Sequence, residues 1–368
     1  MKKKILKNIE WGILVCTFLL IAIGLVALFS ATQNLDYEEL KKQALWFVIS
    51  IPVVIVVMII DYNFYCKISP FLYGISILLL IAVLFTEPIN GATSWFSIGP
   101  FSFQPAEFAK IAVILFTANV MVKLQKKEKD EINRIWKLAL TILTVAVPVV
   151  IIIKQPDYGT ALAFLVALIF MLFVAGIRKR YILIATLLVV IIVPLAYFFI
   201  LPDHAKSRID VYLNPDLDPR GAGYNIIQSK LAIGAGQAFG MGILKGNQTQ
   251  LGYLYPKTTD FIFAVIGEEM GFVGGAAIII LYVVLLIQSI KVAKTAKDDV
   301  GSYIAAGITG IFFFHMLENI GMTMGLLPIT GIPLPFVSYG GSSLLTNLIL
   351  IAILLNISSH RQRTLFVE

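Results

Sequence analysis

Ten apolar runs divide this chain, each near the length a helix needs to cross a hydrocarbon core, about 20 residues. They fall at roughly 10–31, 44–60, 69–86, 105–122, 138–153, 159–176, 181–201, 262–290, 302–324 and 340–358. A backbone in lipid must satisfy its own hydrogen bonds, so runs of this kind become helices. The composition points the same way: 58% of residues are apolar, 14% are charged, and the mean hydropathy is +0.88. A water-soluble fold of 368 residues would lack the polar surface to cover so much apolar material. The expected class is an all-α polytopic integral membrane protein with about ten transmembrane helices. A long extracytoplasmic loop, about 202–261, joins helices 7 and 8, and residues 1–368 read as one membrane domain. The first run follows Lys2, Lys3, Lys4 and Lys7. It is too long for the apolar part of a signal peptide and reads as an uncleaved anchor.

Basic residues set the orientation. With the N-terminus inside, the inner segments hold 19 Lys and Arg, including Lys67, Lys123, Lys126, Lys127, Arg134, Arg178, Lys291 and Arg363. The short outer loops hold only Lys41, Lys42 and Lys154. Such a bias places both termini in the cytoplasm. The net charge of +7 is therefore topological, and a nucleic-acid partner is not expected. Cys16 falls in the first run and Cys66 in a short loop read as cytoplasmic. They are not expected to form a disulfide. Together with His204, His315 and His360 they offer no metal-ligand spacing.

Unusual polar sequence gathers on the outer side. No GxxxxGK[ST] phosphate loop occurs on the inner side, so nucleotide-driven chemistry is disfavoured. The 86–105 loop carries Asn90-Gly91-Ala92-Thr93-Ser94-Trp95, then Gln104-Pro105-Ala106-Glu107-Phe108-Ala109-Lys110. Pro105 suits a first helical turn, and Glu107 and Lys110 share a face at i,i+3. The pair reads as a structural ion pair, or, being membrane-embedded, as a functional one. Trp95 reads as an interfacial anchor or a substrate contact. Thr258-Thr259-Asp260 before an apolar run is a capping signature. Glu268 and Glu269 follow near the outer interface, where His315, Glu318 and Asn319, at i, i+3, i+4, could meet them. Pro328, Pro333 and Pro335 forbid a regular helix before Ser338-Tyr339-Gly340-Gly341-Ser342-Ser343. That last stretch opens the tenth helix, and its backbone amides could receive phosphate. The long loop is expected to lack clear helices, apart from a re-entrant or interfacial one over 224–238.

At these residues the chain resembles the SEDS family (shape, elongation, division and sporulation), which includes RodA and FtsW, over essentially its whole length. The resemblance is carried by Gln104–Lys110, Asn214–Asn225, Thr259–Phe263 through Gly267-Glu268-Glu269, and Pro333–Ser343. The Pro328–Pro335 wording is most like RodA. The resemblance implies a peptidoglycan glycosyltransferase for cell-wall elongation and shape. It would act on lipid II, a disaccharide-pentapeptide on undecaprenyl diphosphate, at the outer face of the bacterial cytoplasmic membrane. A class B penicillin-binding protein, a transpeptidase, is the implied partner. The family's essential Asp maps onto Asp260, and its functional Trp, Glu and Lys map onto Trp95, Glu107 and Lys110.

A polymerase of this kind must deprotonate an acceptor hydroxyl and stabilise a departing diphosphate. Asp260 is the candidate general base, with Glu268 and Glu269 as candidate perturbers of its pKa. Lys110, Arg208 and Lys230 are candidate cations for the diphosphate, Lys110 first among them. Ser338, Tyr339 and Gly340 are further substrate-binding candidates. A divalent cation, Mg2+ or Mn2+, could share the charge; no nucleotide is expected. The competing readings are a lipid II flippase and a non-catalytic scaffold for a transpeptidase. The flippase is disfavoured by the clustering of polar residues on the outer face, and polymerisation of purified lipid II separates all three readings.

Overall fold

The computed structural model describes residues 9–88, 92–98, 101–125, 128–199 and 201–361. Lys2, Lys3, Lys4, Lys7, Asn90, Gly91, Lys126, Lys127 and Arg363, which entered the sequence argument, lie outside these. The long helices are α1 (Trp11–Ala31), α2 (Glu38–Ile59), α3 (Tyr62–Ala82), α4 (Pro105–Leu124), α5 (Ile135–Lys154), α6 (Tyr158–Val174) and α7 (Lys179–Phe199). Beyond the long connection follow α11 (Ile262–Thr295), α12 (Asp299–Thr323) and α13 (Gly341–Ser359). Among the described residues nine helices are long and apolar enough to cross a membrane. The tenth, α6, is apolar but has only 17 residues.

Local chemistry explains several boundaries. Asp157 caps α6 by accepting the Thr160 amide (3.1 Å), and Asp298 caps α12 by accepting that of Gly301 (2.8 Å). Asp61 caps α3 through Asn63 (2.8 Å). The helix therefore starts at Tyr62, and Cys66 lies buried in its early turns rather than in a loop. Both cysteines are free and buried.

The centre of the bundle is α4, α12 and α13, whose central residues are 72%, 67% and 83% buried; for α2 the figure is 11%, and for α7 it is 0%. α12 packs against α6 and α11, α13 against α2, and α3 against α4. In lipid such contacts depend on close packing, because burial from water gives no drive. Gly310 illustrates this: a Cβ there would stand 2.8 Å from the Ala167 Cα. Arg178 pairs with Asp130, and Arg361 and Lys291 pair with Glu10, at the end opposite the cavity described below.

The long connection is more regular than its sequence suggests. It folds into α8 (Asp203–Leu213), α9 (Ala222–Ala235) and the short α10 (Asn247–Gln250). Beside α4, β1 (Phe96–Ile98) and β2 (Phe101–Phe103) form the antiparallel strands of a hairpin, pairing Phe96 with Phe103 and Ile98 with Phe101. α11 is broken at Gly271, where φ is +66°. Segment 237–242 crosses the break and satisfies the freed groups. Met241 and Gly242 donate to the Glu268 and Glu269 carbonyls (2.9 and 3.0 Å). Phe272 and Val273 donate to those of Gln237 and Ala238 (2.8 and 3.1 Å). A broken helix survives in lipid only with such replacements.

Candidate functional site

The proline-rich stretch between α12 and α13 is irregular, as expected, and its polar backbone must find partners. The stripe on α12 supplies them. Asn319 Nδ2 donates to the carbonyls of Asp260 (3.0 Å) and Ile332 (2.8 Å). His315 Nδ1 meets the Pro333 carbonyl (3.1 Å), and Thr330 donates to the Glu318 carboxylate (2.8 Å). The expected meeting of this stripe with Glu268 and Glu269 does not occur. Glu268 instead accepts from the Gln248 and Thr249 amides (2.7 and 3.0 Å) and the Thr249 hydroxyl (2.7 Å), holding α10. Glu269 accepts from Ser30 (2.6 Å) and Gln250 (3.1 Å).

These segments enclose a cavity of about 940 Å3 at one end of the bundle. The hairpin segment contributes Trp95 and Gln104, α4 contributes Glu107, the α5–α6 turn Asp157, α8 Arg208, and α12 His315. Lys257 and Asp260 line it from the approach to α11, and Tyr339 and Gly340 from the approach to α13. A side chamber of about 110 Å3 opens beside Lys42, Trp46, Trp95 and Tyr339.

Asp260 is not a helix cap. Phe261 holds that position, with no side-chain cap bond, so the capping signature is misleading here. The carboxylate is left for the cavity, beside Gly331, where a Cβ would lie 3.5 Å from Asp260 Oδ2. Enclosure by protein pushes its pKa up to about 6, opposed by a Thr259 hydrogen bond and the Arg208 charge. Glu268 and Glu269 play no part in that shift. Burial likewise raises Asp157 and lowers Lys257. Lys257 Nζ donates to the Thr249 carbonyl (2.9 Å), and Arg208 leans on the carbonyls of Ile329 and Thr330 (3.5 Å each).

Lys110 occupies a different place from the one its sequence position suggests. It is 0% exposed and lies behind the cavity wall. Its ammonium donates to Glu107 Oε1 (2.8 Å) and to His315 Nε2 (3.2 Å). A leaving diphosphate in the cavity would meet Arg208 and Lys257 instead. Lys230 is exposed on α9, its chain against Gly325 at the end of α12, and does not line the cavity. Ser338 is also committed elsewhere: its hydroxyl donates to the Thr259 carbonyl (2.6 Å) and accepts the Leu334 amide (2.8 Å). The Gly340 amide is taken by Gln43 Oε1 (3.1 Å). Sequence reasoning overlooked Lys257, Gln104 and the wall role of His315. The signal for Lys257 was its place three residues before Asp260, on the same approach to α11.

Among the described residues no three His, Cys, Asp or Glu side chains gather to hold a metal ion.

A polytopic membrane protein with a half-enclosed chamber at one end, into which two carboxylates with raised pKa values, Asp157 and Asp260, are gathered, is the class that this fold and site define. The chain belongs to the FtsW/RodA/SpoVE family, whose model, described as a cell cycle protein, matches residues 10–363. It is 39% identical over 296 residues to the peptidoglycan glycosyltransferase MrdB of Escherichia coli, covering 80% of this chain and 78% of that protein. It is 39% identical over 361 residues to the stage V sporulation protein E of Bacillus subtilis, covering 95% and 96%. Among solved structures it matches a chain from a peptidoglycan synthase complex that coordinates polymerization and crosslinking, with a TM-score of 0.83 and 30% identity over 96% of this chain and 99% of that one.

Proposed function

We propose that this chain is a peptidoglycan glycosyltransferase that polymerises lipid II at the outer face of the cytoplasmic membrane. The observation that carries the reading is Asp260, poised near pKa 6 in a cavity that also holds two cations, Arg208 and Lys257. A general base works best with a pKa near the operating pH. Asp260 takes the proton of the acceptor sugar hydroxyl as its oxygen bonds to the anomeric carbon of the donor. The bond from that carbon to the diphosphate oxygen breaks, and the diphosphate leaves with the electron pair. Arg208 and Lys257 offset its growing charge, which counts for most in a site that excludes water. The sugar–diphosphate bond is already activated, so no nucleotide is required. Glu107 and Trp95 line the wall against which the sugars rest, and the prenyl tails leave between lipid-facing helices. The relatives' names and the likeness to a synthase-complex chain support this reading. A neighbour drawn from a complex that coordinates polymerization with crosslinking favours a transpeptidase as partner, which we take to be a class B penicillin-binding protein.

Polymerisation of purified lipid II by the detergent-solubilised chain tests it. Wild type is expected to yield glycan strands and Asp260→Asn none, with both inserting and folding alike. A flippase or a scaffold would produce no strands without another enzyme, and near-normal synthesis by Asp260→Asn would reject Asp260 as the base.

A further inference from the structure

We infer that His315 is a positioning residue for the transfer reaction, acting through Lys110 to aim the free oxygen of Glu107 into the cavity. The inference rests on the glycosyltransferase reading and extends it to a residue that reading does not use.

An ammonium only donates hydrogen bonds, so His315 Nε2, 3.2 Å from Lys110 Nζ, must accept. The ring proton then sits on Nδ1 and is donated to the Pro333 carbonyl at 3.1 Å. The two contacts fix one tautomer and one ring orientation. Lys110 in turn donates to Glu107 Oε1 at 2.8 Å. All three side chains are almost sealed from solvent, at 1%, 0% and 2% exposure for His315, Lys110 and Glu107.

The chain of bonds ends on an unpartnered atom. Glu107 Oε2 is buried and has no hydrogen-bond partner among the described residues, although Glu107 lines the cavity. A buried carboxylate oxygen without a partner is costly in a resting protein. A sugar hydroxyl or amide N–H of the bound substrate supplies the missing donor. Lys110 takes one oxygen of the carboxylate, which leaves Oε2 as the one to receive a donor from the substrate. Lys110 needs a second acceptor to keep its place, and His315 provides it from a neighbouring helix. The ring is therefore set by the irregular 328–340 backbone, which also carries Gly331 against Asp260. One imidazole ties the acceptor wall to the segment that flanks the base.

Three substitutions separate this role from simple bracing. Glutamine offers an acceptor at about the depth of Nε2, asparagine a donor at about the depth of Nδ1, and phenylalanine fills the ring volume with neither. The readouts are kcat and KM for polymerisation of purified lipid II by the full chain, with the thermal unfolding midpoint in detergent alongside. His315→Phe and His315→Asn are expected to lose about 10–100-fold in kcat, since small displacements of a positioned group cost that much. KM should stay within about twofold, because the lipid tail and the diphosphate contacts dominate ground-state binding. His315→Gln is expected to recover most of the loss. Full activity in His315→Phe would overturn the inference. So would rescue by asparagine rather than glutamine, which would make the Pro333 bond the important one, or a glutamine variant as inactive as phenylalanine. A kcat loss that merely tracks a lowered midpoint across the three would also overturn it. Wild type sets the scale: its own failure to polymerise would strike the glycosyltransferase reading, and this inference with it.

Discussion

Asp260 and Lys110 answer the same low-dielectric surroundings in opposite ways. Among the described residues Asp260 has no ion-pair partner within 4.0 Å, and its pKa is raised to about 6. Lys110 is sealed and paired with Glu107 at 2.8 Å. The first arrangement suits a group that must gain and lose a proton. The rate of polymerisation at low substrate is expected to fall as pH drops through about 6, where Asp260 takes up its proton. Arg208 lowers that pKa, so Arg208→Gln should move the acidic limb to higher pH as well as weaken the diphosphate step; a pH profile of kcat/KM reads both. The stability sign is opposite to the usual carboxylate case. A folded pKa above the unfolded value of about 3.9 means that ionising Asp260 costs stability as pH rises through its folded pKa. Asp260→Asn should therefore raise the unfolding midpoint at pH 8 more than at pH 5. The pair behaves differently. Removing the lysine alone strands a buried carboxylate, so Lys110→Met should cost about 3–5 kcal/mol. The double variant Glu107→Gln/Lys110→Met should recover most of that, and unfolding of the two in detergent measures the difference. Spacing made the pair legible, since i,i+3 residues share a helix face. Its sealing from the cavity was not, because α12 covers Lys110 and no local pattern reports a neighbour 205 positions away.

Elements reveal where sequence patterns stop carrying information. The long spans were readable because an apolar run must be helical in lipid. The hairpin was not, because two three-residue strands give too short an alternation to stand out. α8 also hid inside a loop rich in Asp, Asn, Pro and Gly, whereas α9 lies where a helix over 224–238 was expected. The cap at Asp260 misled for a related reason: Thr-Thr-Asp before an apolar run is the pattern of a cap, yet Phe261 takes the position. The break in α11 shows what an element can demand of one residue. At Gly271 φ is +66°, and a Cβ would stand 2.3 Å from the Gly240 amide nitrogen. Gly271→Ala must therefore push apart the two backbones that satisfy one another there. The expected cost is about 1–3 kcal/mol from strained backbone alone, and more if the 237–242 crossing is lost. Gly252, with φ +78° but nothing within 4 Å, is the matched control: Gly252→Ala should show only the backbone part. Thermal unfolding of both variants in detergent gives the comparison.

The whole molecule places its chemistry at one end and its ion-pair belts at the other. Glu10, Asp130, Arg178, Lys291 and Arg361 tie helices together opposite the cavity. Lys129, Arg134 and Lys137, three of the basic residues counted on the inner side, pair with Asp299 and Glu131 at that same end. Under the proposed reaction the cavity must open toward the compartment that receives the polymer, so the two ends should face different solutions. Labelling can read this directly, because Cys16 and Cys66 are buried and give little background. Tyr255 is 70% exposed at the cavity end, and Thr295 is exposed at the other end of α11. In intact cells Tyr255→Cys should react with a membrane-impermeant maleimide, and Thr295→Cys only after lysis. The reverse pattern would put Asp260 on the cytoplasmic side, where the positive-inside bias, 19 basic residues against 3 on the short segments, says it does not belong. Such a result would remove the outer-face reaction while leaving the fold untouched. Orientation is thus the one global property on which the roles proposed for Asp260, Arg208 and Lys257 in the transfer reaction depend.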